Sequence, residues 1–96
     1  MVQRVTITSE TPENLKALVE AAIQSELRML EHGLRRTRER LAEFEARFGM
    51  TSAEFERRFD GQDLKESLDF LDWWMEVEAL HRLEGKHQAL RNVRIG

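Results

Sequence analysis

Apolar and polar positions along this chain change their spacing twice. Near the start, Val5 and Ile7 alternate with Arg4, Thr6 and Thr8. Alternation with β-branched residues predicts a short strand or arm over residues 2–8. A lone strand leaves a row of backbone groups unpaired. The other β-like stretch is Asn92-Val93-Arg94-Ile95, so the two are expected to meet, to pair across a dimer, or to stay as tails.

From residue 12 the period becomes helical. Thr11-Pro12-Glu13 reads as a helix start, with threonine to accept an orphan amide and proline suited to the first turn. Apolar residues then fall at Leu15, Val19, Ala22 and Ile23. From Leu27 they continue through Leu30, Leu34, Leu41, Phe44 and Phe48, in steps of three and four with Thr37 as the weak member. That is a coiled-coil-like seam, and it predicts one long helix over 12–48. Gly33 costs about 1 kcal/mol against alanine without disturbing the period. Gly49 fits the left-handed residue that ends a helix. Thr51-Ser52-Ala53-Glu54 reads as a capping box opening a short helix over 52–59, which carries Phe55 and Phe59 and is closed by Asp60-Gly61. A third helix is expected over 64–92, beginning near Asp63 or Leu64.

The expected fold is therefore all-α: a long antiparallel helical hairpin, coiled-coil-like, with a short connecting helix. All seven aromatics lie between Phe44 and Trp74, so folding back the two long helices brings them to one end, with Phe55 and Phe59 plugging it. Two such rods, roughly 55 and 43 Å long at 1.5 Å per residue, enclose little interior. Yet residues 15–23 and 70–77 are apolar round most of their circumference, and a helix of that kind is covered on more than one side. A second copy completing a helical bundle is the simplest cover. Its expected core is Leu27, Leu30, Leu34, Leu41, Leu80 and Leu83.

Composition narrows the chemistry. The 96 residues make a single helical domain, with no cysteine and a net charge of -3. Disulfide scaffolds and cysteine zinc sites are excluded. No stretch approaches the ~20 apolar residues of a membrane span, and no secretory pattern opens the chain, which points to the cytoplasm. For catalysis, the three histidines at 32, 81 and 87 and five scattered glycines form no recognised nucleophile or phosphate-loop pattern. No enzyme activity and no cofactor are expected. Glu78-x-x-His81 and Glu84-x-x-His87 share the spacing of di-iron bundle ligands, and Glu20, Glu26 or Glu31 could supply further ligands. The two motifs lie about 240° apart around one helix, so they cannot face a common axis; no metal is expected.

Residues 28–40 carry five arginines against Glu31 and Glu39. With a strand before a helix, this invites comparison with ribbon–helix–helix repressors, but the first helix is too long for that fold. Arg4, Arg35, Arg36 and Arg38 are the candidate nucleic-acid contacts if DNA is bound. Residues 60–78 carry a net of -6, and in an antiparallel hairpin they lie beside Arg35, Arg36, Arg38, Arg40 and Arg47, so much of this asymmetry is expected to be internal pairing. The remaining acidic face, Asp69, Asp72 and Glu76 around Phe70, Trp73 and Trp74, suits a basic protein partner. Phe70, Trp74 and Val77 are assigned to the seam and Trp73 to the outer face as anchor.

Phe44-Glu45-Ala46-Arg47-Phe48-Gly49-Met50-Thr51-Ser52-Ala53-Glu54-Phe55, then Arg58-Phe59, then Leu68-Asp69-Phe70-Leu71-Asp72-Trp73-Trp74, resembles small prokaryotic helical proteins encoded beside toxins in type II toxin–antitoxin pairs. The resemblance covers roughly residues 27–90. It implies an antitoxin-like role, binding and neutralising a cognate toxin; antitoxins of this type commonly bind operator DNA as well. Beside that expectation stand a structural homo-oligomerisation protein and a DNA-binding regulator that uses the N-terminal strand and the basic helix face.

Overall fold

The computed structural model describes residues 3–10, 14–60, 64–65 and 67–94. Three helices follow one another: α1 (Leu15–Phe48), α2 (Ser52–Asp60) and α3 (Leu68–Arg91). They account for 79% of the described residues, among which there is no strand. The expected N-terminal strand is thus corrected. Val5 and Ile7 are exposed, and residues 92–94 have no strand structure either. Alternating β-branched residues specify a strand only where an edge is available to pair with, and among the described residues there is none. Thr11-Pro12-Glu13, Gly61, Asp63 and Ile95 lie outside the described residues.

Local chemistry sets the helix ends. Gly49 closes α1 with φ 67°, and its N–H donates to the Glu45 carbonyl at 2.9 Å. Thr51 Oγ1 accepts from the Glu54 N–H at 3.1 Å, one half of the expected capping box. The Glu54 carboxylate pairs with Arg57. A second cap reaches in from α1, where Glu45 Oε2 accepts from the Ser52 N–H at 2.7 Å. The third helix begins later than expected. Ser67, in extended backbone, caps it by accepting from the Phe70 N–H at 3.1 Å; Leu64 precedes the helix but still packs on the core.

The pairs that link α1 to α3 are Glu31–His87, Arg38–Glu84, Arg40–Glu76 and Arg47–Asp69. Numbers rise on one helix as they fall on the other, so the two run antiparallel. On α1 the buried residues are Leu30, Leu34, Thr37, Leu41 and Phe44, which is the 3–4 stripe read from the sequence. Full burial of a leucine is worth about 1.5–3 kcal/mol. Leu41 and Phe44 join Phe55, Trp73 and Val77 in one core, with Phe48, Met50, Phe59, Leu64, Phe70, Trp74 and Leu80 packed around it.

The result is a rod of 58 × 25 × 18 Å with a radius of gyration of 18.6 Å, against about 13 Å for a compact domain of this length. Its accessible surface is 7981 Å². A compact monomer of 11.3 kDa has about 5,700 Å². The excess surface is what a thin hairpin leaves open.

Candidate partner-binding surfaces

Trp73 is the pivot of the aromatic end, and it is fully buried. Its ring lies 4.0 Å from Phe55 at 3° between planes, and 5.6 Å from Phe44 at 7°. Phe48 and Phe70 complete the surround at 5.7 and 6.4 Å. Phe59 stacks on Phe55 at 5.2 Å, so α2 plugs this end as its phenylalanines predicted. The indole N–H donates to Ser52 Oγ at 3.0 Å. Since Ser52 also donates its backbone N–H to Glu45, one chain of hydrogen bonds ties α3 to α2 and α2 to α1. A buried indole N–H without an acceptor costs about 1–3 kcal/mol, and Ser52 removes that cost.

This corrects the assignment of Trp73 to the outer face. Adjacent residues point about 100° apart on a helix, and α1 packs on the Trp73–Val77–Leu80 stripe, leaving Trp74 half-buried. Phe70 also lies inside, against Phe48 and Phe55. The acidic residues divide. Asp69 accepts from Arg47 at 3.0 and 3.4 Å, and Glu76 lies 4.0 Å from Arg40. Asp72 is exposed beside them on a shallow groove lined by Arg40, Glu43, Phe44, Arg47 and Asp69. Most of the acidic face is therefore met by α1, which is the internal pairing expected from the sequence.

The free apolar surface lies elsewhere on α3. Leu68 and Met75 are 82% and 63% exposed, and Leu71 is exposed between them. At 100° per residue these three fall within about 60° of one another, on the side opposite Trp73. Sequence reasoning passed over them because it seated Trp74 inside. With Trp73 inside, the i, i+3, i+7 spacing of Leu68, Leu71 and Met75 marks the outer stripe directly.

The residues expected to form a dimer core are placed within one chain. Leu30, Leu34 and Leu41 are buried in the α1–α3 seam of a single chain, while Leu27, Leu80 and Leu83 keep part of their surface exposed. The candidate nucleic-acid residues lie on two segments. Arg4 sits in the exposed N-terminal segment, Arg35 and Arg36 are exposed on α1, and Arg38 pairs with Glu84 at 3.5 Å.

Two of the three histidines bridge helices. His81 Nε2 lies 3.3 Å from Glu56 of α2 and His87 Nε2 lies 3.2 Å from Glu31 of α1. Among the described residues no group of three or more imidazoles and carboxylates is placed to hold a metal ion. No described helix is long and apolar enough to cross a membrane. Comparison of the chain with protein-family models, with curated proteins and with solved structures gives no match.

Proposed function

We propose that this chain is a non-catalytic protein-binding module of the antitoxin type, acting in the cytoplasm, with the coiled-coil-like hairpin as a rigid support and the outer face of α3 as the binding surface. The observation that carries this reading is the exposed stripe Leu68, Leu71 and Met75. Contiguous exposed apolar residues on a charged rod are what partner-binding surfaces leave in the free protein. Asp72 is exposed on one edge of the stripe and Glu78 is half-exposed on the other, so a partner with a basic rim is favoured. The partner is a protein encoded next to this chain and toxic when expressed alone.

The test is co-expression with the product of the adjacent gene. The expected result is a stable complex and rescue of growth, both lost with Met75→Glu while the helical circular dichroism is unchanged. Met75 is exposed, so the charge enters water and the fold is kept. Absence of a complex with either neighbouring product, or a complex indifferent to both Met75→Glu and Leu68→Glu, would overturn the reading.

A further inference from the structure

α1 and α3 are not the same length, and the mismatch falls entirely at one end. His87 meets Glu31, so Arg91, one turn further on and the last residue of α3, lies level with Leu27. Residues 15–26 of α1 project beyond it by about 18 Å at 1.5 Å per residue. Along this projection Leu15, Val19 and Ile23 continue the seam stripe at i, i+4, i+8 and are each partly exposed. Leu18 is 64% exposed beside them. The seam thus runs on past the helix that fills it.

Charge identifies the occupant. Residues 15–26 carry Lys16 against Glu20 and Glu26, a net of only -1, so the segment does not call for a strongly charged partner. Its charges do suit an antiparallel copy of itself. At 100° per residue Lys16 and Glu20 lie on the same flank of the Leu15–Val19–Ile23 stripe, and neither has an ion-pair partner among the described residues. In an antiparallel helix pair, same-flank residues face one another. A two-fold axis at Val19 sets Val19 against Val19, Leu15 against Ile23 twice, and Lys16 beside Glu20 twice. In this register Leu15 of one copy reaches the level of Ile23 of the other, one turn short of the level where α3 ends, so the second α1 occupies the place that α3 vacates.

We propose that the projecting segment 15–26 is a homodimer joint, in which two chains pair antiparallel through Leu15, Val19 and Ile23 with Val19 on the two-fold axis. The joint is separate from the outer face of α3, so either surface can fail its test without the other.

The chain has no cysteine, which makes single-thiol crosslinking decisive. Full-length Val19→Cys is expected to form a disulfide-linked dimer under mild oxidation, whereas Leu71→Cys, which is the more exposed position, is not. By sedimentation equilibrium the unmodified chain is expected to dimerise, and Ile23→Glu to raise the dissociation constant by about tenfold or more, because two buried side chains are lost per dimer. Glu20→Lys is expected to weaken the dimer and Lys16→Glu with Glu20→Lys to restore it. A chain monomeric at hundreds of micromolar overturns the proposal. So does a dimer that crosslinks through Leu71→Cys and not Val19→Cys, or one that ignores Ile23→Glu while circular dichroism shows the variant folded.

Discussion

The two ends of the rod use apolar side chains in opposite ways. At one end Phe44, Phe48, Phe55, Phe59, Phe70 and Trp73 come from three helices and cover one another, and Trp73 and Phe55 have no exposed surface. At the other, Leu15, Val19 and Ile23 line one face of a single helix that α3 does not reach. The aromatic end is a finished core; the projecting end has half of one. The aromatic end holds all seven aromatics and the projecting end only aliphatic apolar residues, but what leaves the second open is that the chain does not return to its level. A helix pattern specifies a face to be covered but not its cover, and only the relative lengths of α1 and α3 decide where the chain supplies its own.

The contrast can be broken most directly at Trp73. Trp73→Ala is expected to cost about 3–5 kcal/mol, as large aromatic truncations in cores do. Against a total stability of about 5–15 kcal/mol, urea denaturation should find the midpoint collapsed, or the chain unfolded in water. Gly49→Ala acts at the same end through the backbone. With φ at 67°, a side chain there costs about 1–2 kcal/mol, read as a lower midpoint at unchanged slope.

Gly33→Ala probes the stretch between the ends and should stabilise. An added Cβ meets Leu83 at 3.5 Å, an ordinary contact, and alanine gains up to about 1 kcal/mol of helix propensity. Arg47→Ala removes the exposed pair with Asp69 and should cost under about 1 kcal/mol, the loss shrinking further at high salt. Smallest of all, Val19→Ala should shift the unfolding midpoint by less than about 0.5 kcal/mol when measured in dilute solution, as for a surface substitution. A loss there as large as that at Trp73 would show that the projecting end has a cover within the chain and erase the contrast.

Much of this was legible in the residues. The 3–4 stripe from Leu27 to Phe48 is the face α1 buries, down to the weak member Thr37, and Gly49 and Thr51 mark the break where helix geometry needs them. That the acidic stretch of α3 would lie beside the arginines of α1 followed from antiparallel charge alone, though not which arginine meets Asp69 or Glu76. What escaped were features fixed by the meeting of elements. Which of two adjacent tryptophans faces inward depends on where α1 sits, and the local pattern is apolar either way. The start of α3 was placed too early because Leu64 packs on the core without being helical. The N-terminal alternation looked like a strand because Val5 and Ile7 favour one, and propensity does not create an edge to pair with. The Glu45 cap on Ser52 was invisible because it needs the turn at Gly49 to be drawn first.

The contrast between Trp73 and Trp74 makes the chain its own optical reporter. Trp73, stacked on Phe55 and Phe44 and sealed from water, is expected to emit in the blue-shifted range of a buried indole and to lose that emission when the three helices separate. Trp74, half-exposed next to the Leu71–Met75 stripe, is expected to emit further to the red and to be the more open to an added quencher. Trp74→Phe therefore leaves a signal that reports folding alone, whereas in the unmodified chain the quenchable fraction falls as a partner settles on the outer face of α3. One spectrum thus separates a chain that has unfolded from one that has been bound.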